Sequence, residues 1–463
     1  MLDGCNWRGS SGRAPFQPLE EFSSRCSSAL READVVLYEL LHREQLRQND
    51  TLMMVAAGGL MDPSVMACAG SALGNVTGEG YPDARFHAGC EVVDAVERLA
   101  IARAKSLFGA QYANVQPHSG TAANLAVIAA VFTTGDKILG LDLKCGGHLS
   151  HGAKPSITGR HFGSVSYGLD DAGLIDYDQV LELARVHRPR IIICGASAYP
   201  RQVDFARFRM IADAVGAFLM ADISHIAGLI AGGQHPSPIN HAHFTTTSTY
   251  KQLGGPRGGA ILMGRDADSP SPWPRLSLSQ MLQRAVFPMC QGTPNFAEIA
   301  AKARGFDIVA GAGFRELAAR TVANARAMAA EFAQRDYRVV TGGTDTHMVL
   351  LDLRPKGLTG VAVEQALESL GIVTNRNAIP GDSNPLNVAG GLRLGTHVLS
   401  MRGMGVTEIL ECVDLIDTVV CAMSPAADLP FDIGPEARER IERAVRRLCR
   451  RFPLPGYELA DCA

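Results

Sequence analysis

Lys251 ends a run of small and hydroxyl side chains, Thr245-Thr246-Thr247-Ser248-Thr249-Tyr250. A turn, Gly254-Gly255-Pro256-Arg257-Gly258-Gly259, follows before an apolar run resumes at Ala260. A lysine at a strand end, among residues small enough to admit a flat ring, is placed for Schiff-base chemistry. A single lysine beside a tight turn is more often a surface charge, so other groups must support the reading. Gln116-Pro117-His118-Ser119-Gly120-Thr121-Ala122-Ala123-Asn124 follows a short apolar stretch and opens a helical one. Free N–H groups at such a helix start form an anion cradle suited to a phosphate, although capping alone explains many such sequences. Gly146-Gly147-His148-Leu149-Ser150-His151-Gly152 offers two histidines among glycines. No third ligand is near them in sequence, so no metal site is expected, and a histidine stacking on a flat ring, with glycines giving clearance, is the better functional reading. Arg393, between Leu392 and Leu394, is either an exposed strand residue or, if buried, a fork for a carboxylate.

The elements that must carry these groups read as alternating strands and helices. Apolar strands are expected at Tyr112 to Val115, Lys137 to Leu141, Arg190 to Cys194 and Ala217 to Ala221. Such strands, short and fully apolar between helical segments, predict an α/β fold with a mainly parallel sheet covered on both faces. Ser197, Asp222, His225 and Lys251 all fall just past strand ends, where such sheets bind ligands. Residues 1 to about 20 read as a flexible leader, Glu32 to Gln48 as a helix, and Asp62-Pro63-Ser64 as a helix start. A helix is expected from Glu91 to about Phe108, and Glu79 stands in the loop before it, either catalytic or merely solvated. A long alanine-rich helical pattern over Gly305 to Asp336 links to a second domain. That domain has strands at Tyr337–Val340 and Met348–Leu353 and a helix over Val361–Leu370, and residues 436–451 form a charged helix. The division expected is 1–52 leader and arm helix, 53–310 large cofactor-binding domain and 311–463 small α+β domain.

Composition narrows the class without naming it. The chain has 463 residues, 46% apolar and 20% charged, with net charge −3 and eleven scattered cysteines. These values describe a globular, enzyme-sized chain with reduced thiols, expected in the cytoplasm, and without pull toward nucleic acid or membrane. No apolar run spans a bilayer and no signal segment is expected at the N-terminus.

Taken in order, the motifs resemble the serine hydroxymethyltransferase family from about residue 32 to the C-terminus. The matching pieces are Glu79-Gly80-Tyr81-Pro82, Asn114 to Gly120, Gly146 to Gly152, Thr245 to Lys251, Gly255 to Gly259, Ala285-Val286-Phe287-Pro288 and Leu392 to Thr396. The resemblance implies the pyridoxal-phosphate aminotransferase-like fold (fold type I). It also implies a homodimer or dimer of dimers with active sites shared between subunits. Lys251 would carry the cofactor covalently, Asp222 would pair with its ring nitrogen, and His148 would stack on the ring. Ser119, Gly120 and Thr121 would hold the phosphate, and Ser197 and His225 would sit near the ring hydroxyl. Tyr250 and Gly292 would also contact the cofactor. Arg393 would clamp the substrate carboxylate, and Glu79 of the neighbouring subunit would be the acid/base. Leu143, Leu149 and Asn377 match positions lining the pocket for tetrahydrofolate, the cosubstrate.

The chain departs from the family pattern around the site. The usual Ser-Glu-Asn is Ala57-Gly58-Gly59, two tyrosines become Thr77 and His87, the histidine before the lysine is Tyr250, and paired glycines are Met289-Cys290. Thr77 and His87 therefore join the expected substrate-binding residues. Opening volume at Thr77 favours a substrate with a larger group on Cα. Similar subfamilies act on α-methylserine, giving D-alanine while the hydroxymethyl carbon goes to tetrahydrofolate, and that is the reading here. The alternatives are ordinary serine/glycine hydroxymethyl transfer, a folate-independent aldolase or transaldolase of β-hydroxy amino acids, and a non-catalytic relative acting as a partner subunit.

Overall fold

The computed structural model describes residues 19–423 and 433–457. The chain divides into two compact units, residues 1–47 and 48–463. The described part of the first unit is helical, with helices Leu19–Ala33 and Val35–Asp50, the latter running on past its end. Helix thus begins well before the expected Glu32, and the leader expected over residues 1 to about 20 lies outside the described residues except at its end. Asp34 separates the two helices by accepting a hydrogen bond from Leu37 N at 3.0 Å, which starts the second helix. Neither helix buries a residue, and Leu37, Leu40 and Leu41 are exposed alongside the charged face.

The second unit holds the sheet that carries the site. Its strands are β1 (Tyr112–Asn114), β2 (Lys137–Leu141), β3 (Gly163–Tyr167), β4 (Ile191–Cys194), β5 (Phe218–Asp222), β6 (Phe244–Ser248) and β7 (Gly259–Met263). They lie in the order β1-β7-β6-β5-β4-β2-β3. The run from β6 to β3 is parallel, and β7 alone is antiparallel to its neighbours. Apolar residues fill the layers on both faces, including Leu139, Ile192 and Leu219 in one cluster and Ile138, Ile193 and Met220 in another. Alternate residues of one strand thus face opposite helical layers, which is why these strands read as continuous apolar runs.

A second sheet, β8 (Arg338–Val339), β9 (Met348–Asp352), β10 (Asn375–Asn377) and β11 (Gly391–Gly395), is antiparallel in the order β8-β9-β11-β10. The helical stretch expected over Gly305 to Asp336 is two helices, Phe296–Ala310 and Ala312–Gln334, interrupted at Gly311. Gly305 lies inside the first, where a Cβ would come 3.2 Å from Gly255 Cα, so close packing accounts for the glycine. The amphipathic pattern of residues 436–451 becomes helix Pro435–Arg451, with Ile441, Val445 and Leu448 buried. Among the described residues no helix is long and apolar enough to cross a membrane.

Candidate active site

The carboxyl ends of the parallel strands bring the candidate groups together. Asp222 is the last residue of β5, Ser197 follows β4, His148 follows β2, and Lys251 lies three residues past β6. β1 leads through Gln116 and Pro117 to the helix Gly120–Val131, whose N-cap Ser119 accepts a hydrogen bond from Ala122 N at 3.0 Å. These ends enclose a pocket of about 260 Å³. Ser119, Gly120 and Thr121 line one part of it, His148, Asp222 and Lys251 another, and Ser197, His225 and Tyr250 a third, with Ser224, Ser248, Arg257 and Gly258 also on its wall.

Asp222 is the hub. Its Oδ2 accepts from His151 Nε2 at 3.0 Å and from Asn124 Nδ2 at 2.8 Å, and its Oδ1 accepts from Ser224 N at 3.0 Å. Burial opposes ionisation of this carboxyl, but the His151 hydrogen bond and charge, with those from Ser224 and Asn124, hold it well below the usual carboxylate range. Asn124 is itself fixed, accepting from Thr246 Oγ1 at 2.6 Å and donating to Ser150 Oγ at 2.9 Å. Ser150 Oγ in turn lies 2.7 Å from His148 Nδ1. Burial, reinforced by neighbouring His151, lowers the His148 imidazole to about 4, so its ring is neutral at physiological pH.

The third ligand-type group missing from the sequence around His148 and His151 comes from a distant strand. Ligand atoms of His148, His151 and Asp222 lie within 4.8 Å of one another. The hydrogen bonds from His151 and Asn124 to Asp222, and the Ser150 contact to His148, make the trio a hydrogen-bond network.

Lys251 is buried, and burial pulls its amine down to about 8, opposed by Asp222 and reinforced by Arg393 and Arg257. Arg393 is also buried; its Nη1 donates to Ser197 O at 2.5 Å and its Nε to Asn375 Oδ1 at 3.1 Å. Both acceptors are neutral, and burial pulls the guanidinium down to about 10. A buried cation without a carboxylate among the described residues is ready to take one from a ligand.

The pocket fits a flat phosphorylated aldehyde such as pyridoxal phosphate. It combines a primary amine of lowered basicity, an ionised carboxylate and a helix N-terminus. His225 Nδ1 and Ser248 Oγ, which belong to pocket-lining residues, are buried with no hydrogen-bond partner among the described residues. Burial first, then Lys251 and Arg393, keep the His225 ring neutral.

Arg393 does not itself line this pocket but reaches its wall through Ser197 O, and the other expected site residues do not line it either. Thr77 borders a separate, more open cavity with His118 and Arg257. Glu79 N donates to His87 Nδ1 at 3.3 Å. The loop bearing Glu79 is pinned by Arg85, which reaches Gly80 O at 2.6 Å, Asp94 at 2.8 Å and Glu97 at 2.5 Å. A Cβ on the exposed Gly292 would lie 3.0 Å from Glu79 Oε1, so Gly292 sits beside that loop. Leu149 is exposed, Leu143 is half-buried, and Asn377 lies on β10 donating to Ala378 O at 2.5 Å.

Sequence reading passed over Asn124, Ser224, Ser248 and Arg257, and gave His151 no partner. An amide inside an otherwise apolar helix was the one available signal for Asn124, because a buried amide must be hydrogen-bonded.

Comparison with known proteins agrees with the geometry. A family model described as serine hydroxymethyltransferase matches residues 30–416. A protein of Synechococcus sp. (strain JA-3-3Ab) named serine hydroxymethyltransferase is 47% identical over 439 residues, 92% of this chain and 96% of its own. One of the same name from Paramagnetospirillum magneticum (strain ATCC 700264 / AMB-1) is 45% identical over 426 residues, again 92% and 96%.

Proposed function

The chain belongs to the serine hydroxymethyltransferase family, and on that premise we propose that its preferred donor is α-methylserine, converted to D-alanine. It is a pyridoxal-phosphate-dependent hydroxymethyltransferase with tetrahydrofolate as cosubstrate. Pyridoxal phosphate, when bound, supplies an electron sink for charge developing at the substrate Cα. The protein's part is to bind, orient and move protons. Lys251 attaches the cofactor, and its lowered basicity leaves neutral amine near physiological pH. Asp222 keeps a proton on the ring nitrogen, and Ser119, Gly120 and Thr121 take the phosphate. His148 covers the ring as a neutral imidazole, and Ser197, His225 and Tyr250 complete the cofactor's surroundings. Arg393 would grip the substrate carboxylate and so fix the orientation of the bonds at the substrate Cα. Glu79 serves the substrate hydroxyl or folate from the neighbouring subunit, beside Thr77 and His87. Leu143, Leu149 and Asn377 border the folate.

The substrate reading rests on small residues where the family pattern has larger polar ones, Thr77 for tyrosine and Ala57-Gly58-Gly59 for Ser-Glu-Asn. The latter segment lies against the catalytic lysine, since a Cβ at Gly59 would be 2.1 Å from Lys251 O. That contact leaves no free space at Gly59, so the room for a methyl group on Cα comes from Thr77, where the family tyrosine is lost. Serine itself is the second reading, favoured by the names of the relatives. Purified enzyme assayed with α-methyl-L-serine and L-serine, each with and without tetrahydrofolate, decides between them. Preference for the methylated substrate with folate dependence is expected; preference for L-serine refutes the substrate reading, and release of formaldehyde regardless of folate points to an aldolase.

We further propose a homodimer or dimer of dimers with shared sites. The support is that Glu79, Thr77 and His87 do not line the Lys251 pocket of their own chain, and that the first helices leave leucines exposed.

A further inference from the structure

Lys302 is a lysine that the chemistry above does not use. It lies in the helix Phe296–Ala310 and is 2% exposed. Its Nζ donates to three main-chain carbonyls, Val115 O at 2.7 Å, Pro117 O at 3.0 Å and Gly259 O at 3.0 Å. No carboxylate among the described residues is within ion-pairing distance of it. Burial lowers its basicity, with Glu298 and Glu97 opposing, while three carbonyl acceptors around Nζ call for the protonated form. Burying a cation is costly, and the usual remedy is an anionic partner. Here the ammonium instead spends all three N–H donors on backbone, joining two segments far apart in sequence.

Those segments meet at the start of the phosphate-binding helix. Gly259 N donates to Pro117 O at 2.9 Å, and Thr249 N donates to Gly258 O at 3.0 Å. A Cβ at Gly259 would come 2.3 Å from Ser119 O, and one at Gly258 would come 2.3 Å from Lys302 Cε and 2.8 Å from Nζ. Close approach to backbone requires glycine at Gly259, whereas a side chain at Gly258 would have to push the end of Lys302 aside. The turn after Lys251 is thereby pressed against the residues that open the cradle. We propose that Lys302 is the positioning residue of the cofactor's phosphate seat, its ammonium holding residues 115–117 and the Gly258-Gly259 turn at the spacing that aims Ser119, Gly120 and Thr121 at the phosphate. The inference rests on the reading of Ser119 to Thr121 as that seat.

The test titrates apoenzyme with pyridoxal phosphate and, separately, with pyridoxal, which has the aldehyde and ring but no phosphate. Visible absorbance gives both dissociation constants for the wild type, Lys302→Met, Gly258→Ala and Ser119→Ala. Lys302→Met keeps most of the stem's packing and removes the donors; Gly258→Ala keeps the lysine and displaces it. Both should weaken pyridoxal phosphate binding by between about tenfold and a hundredfold, the range for a charged hydrogen-bond set. Pyridoxal binding should stay within about twofold of wild type, the scatter expected where no contact is lost. Equal loss for both ligands, or no loss for either, overturns the inference, because a lysine that only stabilises the fold cannot sense the phosphate. Should Lys302→Met not fold, Lys302→Gln takes its place under the same criterion, because Gly258 itself lines the cofactor pocket and its variant counts only beside a Lys302 variant. Ser119→Ala separates the premise: if it spares pyridoxal phosphate binding, the seat is misread, whereas a selective loss there without one at Lys302 refutes the Lys302 role only.

Discussion

Lys251 and Arg393 show how burial prepares a side chain before any ligand arrives. Burial leads the effects that pull the Lys251 amine down to about 8, so neutral, nucleophilic amine is reached at lower pH than for an exposed lysine. The rate at which apoenzyme captures an aldehyde should therefore climb with pH and level off above about 8, which stopped-flow absorbance measures; a climb continuing to the range of free lysine would contradict it. Lys251→Ala should abolish the visible absorbance of lysine-bound cofactor. Arg393 donates to two neutral acceptors and keeps the rest of its fork for a carboxylate. Lysine keeps the charge but not the fork, so Arg393→Lys should lower kcat/KM by at least about thirtyfold, equivalent to about 2 kcal/mol. Steady-state kinetics with both candidate donors reads this directly.

At the scale of elements, the site depends on segments packed too closely for side chains. The 54–59 segment runs from the second sheet to the Lys251 loop: Gly395 N donates to Met54 O at 2.7 Å, His347 Nε2 contacts Ala56 O at 3.0 Å, and Gly59 abuts Lys251 O. Gly59→Asn, which restores the family residue, should force the lysine segment aside. The expected cost is about 1–3 kcal/mol of stability by denaturant unfolding, with slower turnover of every donor. The Glu79 loop is held differently, by a buried ion-pair cluster in which Arg85 and Glu97 side chains are 4% and 1% exposed. Arg85→Met leaves two carboxylates without their cation and should cost about 3–5 kcal/mol. An unfolding midpoint unchanged from wild type would show that the loop has another anchor.

For the whole molecule, the separation of Glu79 from the Lys251 pocket makes a sharp prediction about assembly. If sites are shared, Glu79→Gln and Lys251→Ala chains are each inactive alone but complementary when mixed. Random re-pairing gives half heterodimers with one intact site of two, so roughly a quarter of wild-type activity should return. No recovery after verified subunit exchange would place both groups in one chain's site. Sedimentation of the wild type gives the oligomeric state independently.

Much of this was legible in the sequence because it is local. The strand–loop–helix order around Ser119, and the strands that precede His148 and Lys251, follow from short apolar runs ending in glycines and hydroxyl residues, and the β2 and Glu91–Phe108 boundaries fall where the pattern puts them. The first helix was missed because its apolar residues, Leu19 and Phe22, stay exposed and carry no burial signal over residues 19–33. Helix interruption at Gly311 was hidden by uniformly alanine-rich flanks. What only the tertiary structure decided are the partnerships. Asn124 and His151 reach Asp222 from helix and loop, Ser197 O meets Arg393, and Lys302 ties residue 115 to residue 259. A sequence sets which groups can donate, accept or react; which donor meets which acceptor depends on how strands order themselves in the sheet, and that order is settled by packing across the whole chain.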